Sequence, residues 1–144
     1  MDTIEKCPEN LWENNTYESA YWRIAYHSLF YTALYLSESA DSFVPWTGHI
    51  INYNCLGSLT HDNKPIILKN SYSGADMADY AQLIYHSLDY TVTNLSDEES
   101  SGFEWLPMSR LELHLYNIRH LQHHVGQLIE RLHQNGIKGI NWIR

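Results

Sequence analysis

The sequence predicts an all-α protein, a bundle of long helices, and three observations predict it. Three separate stretches open with a Ser, Thr or Asn followed three residues later by Glu or Asp, the pattern of a capped helix start. Within those stretches apolar residues recur every three to four positions, which is the helical period. The last stretch closes on Asn135-Gly136, a common helix stop.

The first helix is expected from Tyr17 to Ser37, capped by Asn15 or Thr16, with Glu18 three after Asn15. The second is expected from Ala75 to Leu95, with Ser73 as cap and Asp76 three later. The third is expected from Arg110 to Asn135, with Ser109 as cap and Glu112 three later. Between the first two lie about 37 residues that carry Pro45, Gly48, Gly57, Pro65 and Gly74; a connection that long is usually functional or holds short elements of its own. Within it, "HIINYNCLGSL" reads as a short helix or strand. The acidic link "SDEESSGFEW" reads as solvated.

At 144 residues the chain has the size of one domain, residues 1–144. Its hydrophobic fraction of 44% is enough for a core and argues against disorder. The net charge of −8 excludes the basic surface that nucleic acids or anionic membranes need. No apolar run has the length of a membrane span, and "MDTIEKCPEN" has no apolar segment of the signal-peptide kind, so the expected location is cytoplasmic. Two cysteines, Cys7 and Cys55, do not make a disulfide framework. Nine histidines raise the question of a metal.

The heptapeptides "YHSLFYT" (26–32) and "YHSLDYT" (85–91) look alike, but their histidines face differently. A helix turns about 100° per residue. Around His27 this gathers Ala20, Ile24, Tyr31 and Leu34, a mostly apolar face turned to a core. Around His86 it gathers Asp79, Gln82, Asp89, Tyr90 and Thr93, while the apolar stripe of that helix, Met77, Ala81, Ile84, Leu88 and Leu95, lies on the far side. His86 is therefore expected in water. In the third helix Leu111, Leu115, Ile118, Leu121, Val125, Leu128, Ile129 and Leu132 form a broad apolar arc expected to pack. His120 and His124 stack one turn apart beside it, with Leu113, Tyr116, Asn117 and Gln127 on their side. His123 falls among Arg119, Glu112 and Glu130 and is expected to be exposed. Gly126, in mid-helix, costs about 1 kcal/mol relative to Ala and signals a close neighbour or a tolerated defect.

Two imidazoles one turn apart make a bidentate metal clamp, though such pairs also arise by chance. A third imidazole on the core face of another helix favours the metal, because buried imidazoles without partners are costly and facing helices commonly build metal sites. His27, His120 and His124 are the candidate ligands, and three histidines leave a coordination position open for chemistry. No nucleophilic Ser or Cys stands in a recognisable motif. Tyr31, one turn after His27, is a core tyrosine or a hydrogen-bond donor near the ion.

The pair "WRIAYHSLFYTALYL" and "LELHLYNIRHLQHHVGQL" resembles the DinB/YfiT-like superfamily of metal-binding helical bundles. In that family one His on an early helix joins H-x-x-x-H-x-G-Q-L on the last long helix. The matching positions are His27 with His120, His124, Gly126, Gln127 and Leu128, and the likeness covers about residues 8 to 134. The resemblance implies an antiparallel four-helix bundle with a three-His site for a divalent metal, Zn, Ni or similar. It also implies a metal-dependent enzyme: some relatives are S-transferases or isomerases dependent on a low-molecular-weight thiol (mycothiol, bacillithiol or glutathione), and hydrolase chemistry fits the same centre. The alternative is a non-catalytic metal-binding or protein-interaction bundle. One departure is plain. The family carries a full helix before the first histidine, and here only a short stretch broken by Pro8 precedes it. The first helix is thus shortened or missing, and residues 38–74 or another subunit take its place. Broad apolar faces, with Trp12, Trp22, Tyr26 and Trp46 near the open end, lead to the expectation of a homodimer.

Overall fold

The computed structural model describes residues 1–94, 96 and 98–140. It is helical. α1 (Asp2–Glu5) and α2 (Glu9–Trp12) are single turns on either side of Pro8, and α3 (Tyr21–Leu36), α4 (Gly74–Thr93) and α5 (Arg110–Gln134) are long. Among the described residues there is no strand, only isolated bridges pairing Leu59 with Pro65 and Ser100 with Ser109. Leu95, the expected end of the second helix, lies outside the described residues.

Two of the three starts are the expected capping boxes. The Ser73 hydroxyl accepts from the Asp76 N–H while the Asp76 carboxylate accepts from the Ser73 N–H, and Ser109 and Glu112 do the same for α5. α5 ends in a Schellman turn: Ile137 N–H donates to Leu132 C=O and Gly136 N–H to His133 C=O, with Gly136 at φ +79°. α3 differs. It begins at Tyr21 rather than Tyr17, after an extended Ala20, and no side chain caps it. Asn14 instead spends its side-chain oxygen on the Thr16 N–H and hydroxyl, which closes a tight turn before the helix.

α3 is the hub. Eleven of its residues are buried, among them Tyr21 and Tyr26 at 0% exposure, and a helix apolar all round is one enclosed by neighbours. α5 lies antiparallel to it: Arg131 reaches the Ser19 carbonyl, Asn117 reaches Thr32 and Arg110 reaches the Ser37 carbonyl. α4 starts beside the first half of α3, where Tyr80 meets Tyr26. The long connection between α3 and α4 makes this possible by running back along α3. Its Tyr53 and Tyr72 pack on Trp22, and its His49 accepts from or donates to the Tyr26 hydroxyl at 2.6 Å. "HIINYNCLGSL" is neither helix nor strand but a series of turns, with Asn52 at φ +69°. Trp12, Trp22 and Tyr26 are therefore core residues, 7%, 4% and 0% exposed, not an open apolar end; Trp46 is half-buried and stacks on Tyr80. In the acidic link Ser96, Glu98, Glu99 and Ser100 are exposed, but Ser101 and Phe103 are buried. Gly102, at φ +81°, has to be glycine, since a Cβ there would collide with the Glu38 carbonyl.

The apolar arc of α5 is only partly in the core. The buried stripe is Leu113, Asn117, His124, Leu128 and Leu132, whereas Leu111, Leu115 and Ile118 are 44%, 59% and 57% exposed. Of these three only Ile118 borders the space left where α4 and α5 each pack on α3 without closing on one another. Between them an open, apolar groove of about 760 Å³ remains, walled by residues such as Tyr85, Leu88 and Val92 of α4 and Ile118, Leu121 and Val125 of α5. α1 contacts both helices and fills one end of it.

Candidate metal centre

His27 stands in the middle of α3, and His120 and His124 stand one turn apart on α5, on the stripe that faces it. The antiparallel packing of the two helices brings the three rings together. His27 Nε2 and His120 Nε2 are 3.2 Å apart, and so are His124 Nε2 and His120 Nε2. The candidate ligand atoms all lie within 4.8 Å of one another. Two nitrogens at 2.0–2.1 Å from a tetrahedral ion are about 3.3 Å apart, so the two 3.2 Å spacings fit a shared metal ion.

Hydrogen bonds set the tautomers. His27 Nδ1–H donates to the Asn54 carbonyl at 2.6 Å, and His124 Nδ1–H donates to Gln127 Oε1 at 2.8 Å. Both Nε2 atoms then carry lone pairs toward the centre. The His120 Nε2 proton can satisfy only one of them, and its Nδ1 is buried without a partner. A divalent cation at the centre satisfies what the three neutral rings cannot. Holding a ligand histidine by its other nitrogen is the usual support around a bound metal.

Burial also keeps the rings neutral. It pulls His27 down to about 3, against the opposing pull of the Asn54 carbonyl and with smaller help from His124, His120 and His61. It pulls His120 down to about 4, helped by His124 and His123, and lowers His124 despite the bond to Gln127. Neutral imidazole is the form that binds metal.

No family model matches the chain, and no curated protein or solved structure matches it either.

Around the centre, His86 and His123 are exposed and not part of the cluster, although the His123 ring touches that of His124 at 5.0 Å. A Cβ on Gly126 would meet nothing within 4 Å, so no close neighbour explains that glycine. Two residues of the long connection were not foreseen. Asn54 supplies the carbonyl that holds His27, and its side-chain amide donates to the Tyr31 hydroxyl at 3.4 Å. His61 Nε2 meets the same hydroxyl at 3.0 Å, and the Tyr31 ring packs on His27 and His120. Both belong to turns of irregular backbone, where no periodicity aims a side chain or a carbonyl.

Arg23 fixes that connection from beneath. It is 5% exposed, and its guanidinium donates to the Gly57 carbonyl at 2.8 Å and the Cys55 carbonyl at 2.7 Å. Burial lowers its pKa, and the nearby Cys55 opposes the shift. The carbonyl that orients His27 is thus next in sequence to one held by a buried cation.

Proposed function

We propose that this chain is a divalent-metal-binding helical bundle of the DinB/YfiT-like type, and that it is a metal-dependent enzyme of the thiol-dependent transferase or isomerase kind, or a hydrolase. His27, His120 and His124 hold Zn, Ni or a similar ion. The observation that carries this reading is that His27 Nε2 and His124 Nε2 each stand 3.2 Å from His120 Nε2, with the His27 and His124 rings tied from behind by Asn54 and Gln127. A divalent ion there supplies Lewis acidity and lowers the pKa of a water or thiol that it binds. The chain's own contribution is to keep the imidazoles neutral and aimed. The Tyr31–His61 pair adds a hydroxyl and an exposed imidazole beside them, groups able to hold or pass a proton.

The experiment is elemental analysis of protein purified without a His tag. One divalent ion per chain is expected, lost in His27→Ala, His120→Ala or His124→Ala and retained in His86→Ala and His123→Ala. Metal retained by all three of the first variants would sink the proposal. Turnover of an electrophile only in the presence of a low-molecular-weight thiol separates the enzyme from the second reading, a non-catalytic binding bundle, which the open apolar groove favours. The groove also supports the expected homodimer, with a second copy as its occupant.

A further inference from the structure

A cavity of about 220 Å³ is lined by Gln127, the residue that holds His124 by its outer nitrogen; none of the three histidines lines it. Glu18 and Arg131 both line it. Its walls are pinned. The Gly57 N–H donates to the Ser19 hydroxyl at 3.0 Å, and the Gly57 carbonyl accepts from Arg23. Arg131 donates through one nitrogen to the Ser19 carbonyl at 2.6 Å and lies over the Tyr17 ring at 4.2 Å. Its other donors have no protein partner among the described residues. The one ion pair among those residues is Lys6 with Asp2, so the carboxylate and the guanidinium of this cavity are paired neither with each other nor with another charge. Gly57 sits at φ +73°, a backbone conformation that favours glycine.

We propose that this cavity binds a free α-amino-acid group, its carboxylate on Arg131 and its ammonium on Glu18. A guanidinium fork matches a carboxylate, and a zwitterion answers both unpaired charges at once. A ligand with one charge leaves the other wall unanswered.

The test is calorimetric titration of the full chain, both stripped with a chelator and loaded with zinc. The probes are L-alanine and its two halves, propionate and ethylamine. L-alanine is expected to bind saturably to both forms, with each half-molecule about tenfold weaker or worse. Glu18→Gln and Arg131→Gln are each expected to weaken L-alanine by about tenfold or more. Glu18 is exposed, so its variant decides the matter even if Arg131→Gln, which loses the Ser19 contact, fails to fold. L-alanine binding no better than propionate, or unchanged in Glu18→Gln, overturns the proposal. A chain that takes no zinc yet binds L-alanine defeats the metal reading alone; one that holds zinc and ignores L-alanine defeats this inference alone.

Discussion

His27 shows how a side chain's surroundings decide its chemistry. Burial lowers its pKa to about 3 from the 6.5 of a free imidazole, and His120 is lowered to about 4. In the metal-free protein the folded state therefore binds fewer protons than the unfolded chain between those values. The stability these neutral rings allow is fully present above about pH 6.5 and drains away as pH falls toward 4 and then 3. Thermal unfolding in excess chelator is expected to shift to lower temperature over that window, and His27→Gln is expected to flatten the dependence. Parallel curves for the two proteins would show that His27 is not held neutral. His27, His120 and His124 were legible in the sequence because helical spacing alone aims them. Asn54 was not legible, since it acts through a backbone carbonyl, which every residue type carries. Gln127 was visible as a motif position, but its bond to His124 depends on a side-chain rotamer that spacing does not fix.

Among the elements, α4 and α5 could be read almost to the residue because both begin with reciprocal Ser–Asp or Ser–Glu bonds encoded locally. The start of α3 could not, because its preceding turn is closed by Asn14 and its first residues are fixed by tertiary contacts. The apolar arc of α5 misled for a related reason. Hydrophobic spacing says which face is apolar, not which neighbour covers it, and the stripe that is covered includes Asn117 and His124. The connection between α3 and α4 depends most on Arg23. Arg23→Met leaves two carbonyls without their donor, at about 1–3 kcal/mol each, and frees a buried cation, which offsets part of that cost. A net loss of about 2 kcal/mol is expected in urea unfolding with chelator present. Because Asn54 precedes the released Cys55, zinc affinity is expected to fall as well. Unchanged affinity with reduced stability would mean that His27 is oriented without help from this stretch.

For the molecule as a whole, the all-helical class was legible, while the course of the long connection was not. Its aromatic residues, Tyr53 and Tyr72, find partners on Trp22 that lie far away in sequence. The connection covers one side of α3 and leaves the groove between α4 and α5 uncovered, with Tyr85 69% and Val92 64% exposed at its wall. An exposed apolar surface of this kind marks an association site. Sedimentation at micromolar concentration is expected to give a species of twice the 16.9 kDa chain, reduced to the monomer by Val92→Glu or Ile118→Glu. A single species at the chain mass in the unaltered protein would rule the dimer out.

The distance along the chain between His27 and His120, 93 residues, has a consequence for the order of assembly. In a short metal loop the ion can gather its ligands early and guide the chain. Here the gap must close first, and closing it requires α3 and α5 to dock and the intervening connection to lie down, all at an entropic cost. On the function proposed above, the ion would then arrive last. It would recognise only the completed native state, so resistance to unfolding is expected to rise with the logarithm of free metal while the rate of folding does not.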